Sequence, residues 1–347
     1  MFTFARYRLV LQPLDTFTLP AYPGNTFRGG FGTLFRRIAC ACGSDAARHH
    51  PRCLYAQVFE TPRAATLPAL PATVQIPHPF VLEPPYDGQR VYTPDDLLLL
   101  HLVLIGQALD WLPYFVFTFE ELGRAGLGRD RGRYRLAEVH SLQEGQATVV
   151  FTGALRQFID PGQPMSLDAL WQVYPVVESM DVDFLTYTRI VGQGRLQEVV
   201  EFPRFFSALL RRLASLMYAH GDGGTVPLPT GPALDVVDIL RYFYDRHGQD
   251  PAARAAVREA MLLAAQVNVT AHSLQWEEWA RYSGRQARPM PLGGVRGTVR
   301  YGGPLTAFVP YLRVGEYLHV GKNTTFGLGQ IAVQLVSAPG APAAVRS

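Results

Sequence analysis

His319-Val320-Gly321-Lys322-Asn323-Thr324-Thr325-Phe326-Gly327-Leu328-Gly329 holds the one lysine among the 32 Lys and Arg residues of this 347-residue chain. A chain that writes nearly every positive charge as Arg keeps a Lys where a compact, mobile ammonium works and a flat guanidinium does not. Gly321, Gly327 and Gly329 give backbone that can approach a ligand closely or take φ > 0. Asn323 and Thr324 offer hydrogen bonds, and Phe326 a ring face. The combination suits a phosphate chain with bases beside it. The other reading is a tight hairpin with an incidental lysine. The stretch also sets the fold, because strands are expected at 295–300 and 317–320, with a short helix between them, and at 329–335.

Upstream of it, the pattern predicts a strand over Val182 to Ile190, a helix from Pro203 to Ala219, helices at 234–246 and 252–265, and a strand near Val267. The first half begins with an alternating strand from Phe4 to Leu11. Asn25 and Thr26 offer an N-cap to a helix with Phe27, Phe31, Leu34, Phe35 and Ile38 on one face and Arg28, Arg36 and Arg37 on the other. Thr93-Pro94-Asp95-Asp96 reads as a helix start, and the apolar run Leu97 to Leu109 as a buried helix. A glycine-arginine loop, Gly126 to Arg135, leads into a strand at Tyr134 to Val139. Residues 155–178 read as a linker, and Arg211 and Arg212 as surface charges. The expectation is an α+β fold of two tandem ferredoxin-like (RRM-like) domains. One covers 1–160 with a Cys/Pro-rich, loop-rich insertion at 40–90; the other covers 175–340 with extra helices and the glycine-rich loop.

Only 18% of residues are charged and 48% are hydrophobic, which excludes a disordered chain. A net charge of +3 fits nucleic acid without requiring it. Met1 runs straight into a strand, so no secretory leader is expected. The longest apolar run is broken by His101 and Gln107 and is too short for a membrane span. Cys40, Cys42 and Cys53 make no disulfide framework, which points to a reducing cytoplasm.

Four ordered segments carry a family resemblance. They are Leu19-Pro20-Ala21-Tyr22-Pro23-Gly24 running into Arg28-Gly29-Gly30-Phe31-Gly32; Cys53-Leu54-Tyr55-Ala56 through Phe59-Glu60 to Pro79-Phe80-Val81-Leu82-Glu83-Pro84; the Gly126 to Arg135 loop; and Arg281-Tyr282-Ser283 with Arg285-Gln286, Gly293-Gly294 and His319 to Gly329. The sequence resembles the CRISPR-associated endoribonucleases of the RAMP superfamily that process pre-crRNA. The resemblance implies CRISPR repeat RNA as ligand and CRISPR effector subunits as further partners. It also implies metal-independent cleavage, in which a 2′-hydroxyl attacks the adjacent phosphate to leave a 2′,3′-cyclic phosphate. A non-catalytic RAMP subunit that holds a processed guide is the alternative. A nucleotide-binding enzyme is a weak third reading, because Gly321-Lys322 lacks the Gly-x4-Gly-Lys-Ser/Thr spacing.

That chemistry needs a base, an acid and cations at the phosphate, and histidine suits the proton transfers. The resemblance implies a histidine at or just after the first helix, where His49 and His50 stand; His319, beside the Lys322 loop, is the rival. RNA contacts are expected from Gly321, Lys322, Asn323, Thr324, Gly327, Gly329, Arg281, Arg285, Gln286 and Arg288. Arg129, Arg131 and Arg133 stand behind them. Cys40, Cys42 and Cys53 with a neighbouring histidine are enough for a structural zinc site, or are small thiols packing a loop. No cofactor is expected for catalysis.

Overall fold

The structure is a computed structural model that describes residues 2–42, 49–60, 76–143, 145–160, 162–192, 195–196, 199–245, 250–278, 280–283, 288–291 and 293–336. The first half runs β1 (Thr3–Pro13), α1 (Gly24–Ala39), α2 (Leu54–Phe59), β2 (Phe80–Glu83), β3 (Leu98–Ile105), α3 (Leu112–Ala125), β4 (Tyr134–Gln143), β5 (Gln146–Thr152) and β6 (Gln157–Phe158). Its antiparallel sheet has the order β2-β3-β1-β4-β5-β6. Taking β1 to β4 with α1 and α3 gives β-α-β-β-α-β in the order 2-3-1-4, the ferredoxin-like pattern.

The second half repeats that order. Its elements are β7 (Ser179–Thr188), α4 (Phe202–His220), α5 (Val236–Tyr244), α6 (Pro251–Ala264), β8 (Asn268–His272), β9 (Gly294–Gly302), α7 (Val309–Leu318) and β10 (Ile331–Leu335). The sheet order is β8-β9-β7-β10, with Gln275–Glu277 adding a short strand to β9. The fold is therefore α+β with two ferredoxin-like units, the second carrying extra helices, as the sequence suggests.

Amphipathic periodicity explains α1 and α4. Phe27, Phe31 and Phe35 fall on one face of α1 and are fully buried, with the Phe31 and Phe35 rings packed against Phe115 of α3, while Arg36 and Arg37 stay exposed. Asn25 and Thr26 do not cap α1. Pro23 holds the cap position, without a side-chain hydrogen bond, and both residues lie inside the first turn.

Three other readings change in the fold. The run Leu97 to Leu109 is not a helix but β3 followed by a 3-10 turn at Gly106–Trp111. Leu98, Leu100 and Leu102 pack under the helices of the first unit, while Val103 and Ile105 enter the core of the second. The C-terminal half of β3 is covered on both faces, and a strand so covered loses its alternation and reads as a continuous apolar run. Thr93 to Asp96 is a closed turn, in which Asp96 accepts bonds from the Thr93 amide and hydroxyl at 2.8 Å each. The expected strand at 317–320 belongs instead to α7, which extends to Leu318.

The 155–178 segment is partly docked: Met165–Ser166 pairs with Thr3–Phe4, and Leu167 and Val177 are core residues. Arg212 is buried, not a surface charge. Its Nε donates to the Leu318 carbonyl at 2.7 Å, satisfying the end of α7, and burial pushes its pKa down to about 9.

The two units share one continuous hydrophobic core. Phe2, Phe4, Val81, Val103 and Ile105 of the first sheet pack with Phe184, Phe205 and Leu318 of the second unit, and the Phe4 and Tyr317 rings lie 5.1 Å apart. His220 at the end of α4 reaches the Pro77 carbonyl at 2.6 Å. None of the described helices is long and apolar enough to cross a membrane.

Candidate nucleic-acid interface

The glycine-rich stretch lies in the seam between the two units. After α7 the chain reverses at His319, whose φ of 61° and ψ of 172° lie in a region favourable only to glycine. Asn323 follows with a left-handed φ of 62°, a conformation Asn tolerates better than most residues. A single 3-10 turn, Thr324–Phe326, then returns the chain toward β10.

The second unit grips this loop through the Gly321 to Gly329 backbone. The Lys322 amide donates to the Arg189 carbonyl at 3.2 Å, Gly329 to the Tyr187 carbonyl at 3.2 Å, and the Thr186 hydroxyl to the Gly327 carbonyl at 2.8 Å. From the first unit, the Tyr22 hydroxyl donates to the Phe326 carbonyl at 2.7 Å. Gly24 opens α1 directly against the same carbonyl, where an added Cβ would stand 2.2 Å from the oxygen. Gly24→Ala should therefore push α1 off the loop and lower stability by about 1–3 kcal/mol, read from the denaturant midpoint. A midpoint equal to wild type would mean that the contact is not tight in solution.

This anchoring divides the expected RNA-binding residues. Lys322 is exposed and Gly321 and Asn323 are half-buried, whereas Thr324, Thr325, Phe326, Gly327, Leu328 and Gly329 are interior. Of the residues expected to contact RNA in this loop, only those of the tip reach the surface. Thr324, Gly327 and Gly329 serve the seam, because a loop that closes an interdomain contact must satisfy its own amides within the protein.

Two arginines stack on aromatic rings of the seam. Arg28 on α1 lies over the Phe326 ring at 5.5 Å and the Phe59 ring at 4.4 Å. Arg296 on β9 stacks on Tyr86 at 5.2 Å and donates to its hydroxyl at 2.8 Å. Tyr22, Tyr86 and Tyr187 form an edge-on cluster beneath, with Tyr22 5.3 Å from Tyr86 and 5.8 Å from Tyr187.

The Gly126–Arg133 loop comes to the same end of α1, since a Cβ on Gly128 would meet the Thr26 methyl at 3.8 Å. Arg129 and Arg131 are exposed there. Arg133 forms a fork with Asp15 at 2.8 and 2.9 Å, which neutralises much of its charge locally. Arg281 and Arg288 lie on a hairpin, Ala280–Ser283 paired with Arg288–Pro291; Arg285 and Gln286 lie outside the described residues. Arg28, Tyr86 and Arg296 are residues the sequence reading did not assign. The signal available for Arg28 was its place in the Arg28 to Gly32 motif; nothing local marked the other two.

His319, expected as a catalytic candidate, lies in the interior of the seam. It is fully buried; its Nε2 meets the Glu83 carboxylate of β2 at 2.9 Å and its Nδ1 meets the Leu328 carbonyl at 3.1 Å. Arg6 Nε binds the other Glu83 oxygen at 2.8 Å. The triad Arg6–Glu83–His319 is a polar pin through the seam. Burial would raise the Glu83 carboxyl, but the His319 hydrogen bond and the Arg6 guanidinium outweigh it and hold the pKa down to about 2.

His49 and His50 stand beyond the far end of α1, a helix of 16 residues and so about 24 Å long. The His49 side chain is enclosed beside Cys40, with Nδ1 3.2 Å from the sulfur. His50 is exposed, and its Nδ1 accepts from the Arg52 amide at 3.1 Å.

Residues 182–331 match the family model of the CRISPR-associated endoribonuclease Cas6, and residues 2–162 match a model described as an N-terminal domain. An uncharacterized protein of Archaeoglobus fulgidus is 24% identical over 210 residues, a match that spans 59% of this chain and 66% of that protein. A solved Cas6 product complex has a TM-score of 0.55 at 19% identity, covering 96% of this chain and 99% of its own. The Thermus thermophilus Cas6 structure has a TM-score of 0.52 at 17% identity, with the same coverage. At such identities these structures show a shared fold.

Proposed function

We propose that this chain, whose residues 182–331 match the model of the CRISPR-associated endoribonuclease Cas6, belongs to that family, binds CRISPR repeat RNA along the basic outer face of α1 and cleaves it without a metal. The observation that carries this reading is the exposure of Lys322 on a loop held at the seam of two ferredoxin-like units, with Arg28 over the Phe326 ring of the same loop and the Arg129–Arg131 loop at the same end of α1. A similar fold is found in a solved Cas6 product complex. Phosphates would run from the Lys322 tip past Arg28 toward Arg36 and Arg37, with bases free to stack on guanidinium planes.

In the reaction, the ribose 2′-hydroxyl loses its proton as its oxygen bonds the adjacent phosphorus. The 5′-oxygen leaves and takes up a proton, giving a 2′,3′-cyclic phosphate and a 5′-hydroxyl. Cations offset the charge gathering on the phosphate. Proton transfer is assigned to His50, whose ring is the exposed one of the three expected histidines.

Incubation of the full chain with repeat RNA in EDTA tests the reading: site-specific cleavage with a cyclic-phosphate end is the expected result. Tight binding with no cut would favour the second reading, a guide-holding subunit. The enclosure of His49 and His319 is the observation that keeps that alternative in play. A solved complex in which a Cas6 module accompanies reverse transcriptase, Cas1 and Cas2 has a TM-score of 0.51 and covers 99% of this chain. Association with other CRISPR proteins is part of the same proposal. Lys322→Ala should reduce repeat affinity and lower the salt slope by about one unit, measured by titration at several ionic strengths. An unchanged slope would remove the lysine from the interface.

A further inference from the structure

Cys40, Cys42, His49 and Cys53 bring one ligand atom each to within 4.8 Å of one another. A tetrahedral zinc ion, with bonds of about 2.3 Å to sulfur and about 2.0 Å to nitrogen, sets its ligands about 3.5–3.8 Å apart. A small inward adjustment therefore closes the cluster on an ion.

The surroundings are those of a ligand set rather than of idle thiols. The His49 Nδ1 faces the Cys40 sulfur at 3.2 Å, while its Nε2 lies 3.7 Å from the Glu60 carboxylate. A ligating imidazole is commonly oriented by a carboxylate on its other nitrogen. The His50 amide donates to the Cys42 sulfur at 3.3 Å, a bond that stabilises a thiolate. Tyr55 packs edge-on against the His49 ring at 5.0 Å.

We propose that Cys40, Cys42, His49 and Cys53 bind one zinc ion, and that this ion staples α2 to the end of α1. The set is three sulfurs and one nitrogen from the protein, a closed site of the structural kind with no position for substrate. Binding converts three thiols to thiolates and releases their three protons to solvent.

The fold gives the ion a purpose. Cys40 caps α1 and Cys53 caps α2, a helix of six residues that is far too short to persist on its own. α2 supplies Phe59, whose ring carries Arg28 at 4.4 Å and stacks on Tyr55 at 5.2 Å. Holding α2 in place thus holds the platform under an arginine of the proposed RNA surface. It also engages His49 as a ligand, which removes that residue from acid–base chemistry.

The test uses the full chain, purified under reducing conditions with zinc and then dialysed. Elemental analysis should find about one zinc per chain. Cobalt loading should give tetrahedral d–d absorption with thiolate charge-transfer bands. Cys53→Ser should reduce bound zinc to background. If that variant fails to fold, His49→Ala should weaken zinc by at least about tenfold in competition with a chromogenic chelator, while keeping thiolate bands in the cobalt spectrum. Wild-type chain without zinc, or a cobalt spectrum lacking thiolate bands, overturns the proposal. None of these measurements involves RNA, so the metal site and the nuclease reading fail separately.

Discussion

Glu83→Ala should cost about 3–5 kcal/mol of stability, the effect of removing one partner from a buried, hydrogen-bonded charge pair. The carboxylate is 2% exposed and holds two groups at once: the His319 ring of the second unit and the Arg6 guanidinium of its own sheet. Truncation leaves a fully enclosed imidazole facing a cavity, and an arginine whose partner is gone. The same geometry sets a pH dependence. A carboxyl held at about 2 in the folded chain, below its ordinary value of 4.5, contributes stability that is complete above the unfolded value. That contribution declines as pH falls from about 4.5 toward 2. Urea midpoints taken from pH 7 down to pH 3 should therefore fall less steeply in the variant than in the wild type. Parallel curves would mean that the pin does not form in solution.

His50→Ala should slow single-turnover cleavage of repeat RNA by about 10²–10⁴-fold while leaving affinity within about twofold, the usual loss when a positioned acid–base group is removed. The ring is exposed and sits past the end of α1, whose outer arginines are the proposed track for the backbone. Its Nδ1 accepts the Arg52 amide, so the neutral ring carries its proton on Nε2. His319→Ala, by contrast, should lower stability, because that side chain touches only protein. A His50→Ala enzyme that cuts at the wild-type rate would shift the reaction to alignment and charge alone. If the wild type does not cut either, the guide-holding reading takes over.

Much of the fold was legible because its signals are local. Phe27, Phe31 and Phe35 announce the buried stripe of α1, and the periodicity of 203–219 announces α4. β3 hides its strand character for a reason that is not local: Val103 and Ile105 of its second face are covered only once the second unit docks, and with Leu99 also apolar on that face the strand has little polar alternation to betray it.

The functional region divides along the same line. Sequence alone determined the α+β pattern repeated twice, the single lysine at the head of a glycine-rich loop, and the Cys40, Cys42 and Cys53 group with a histidine close by. Only the tertiary structure decided that the loop turns its glycines inward and offers just its tip. It likewise decided that His319 pairs with a glutamate 236 positions earlier, and that His49 rather than His50 faces the sulfurs. Periodicity reports which face of an element is apolar. Which element meets that face, and so which polar group is enclosed, is fixed by packing between segments too far apart in sequence to mark one another.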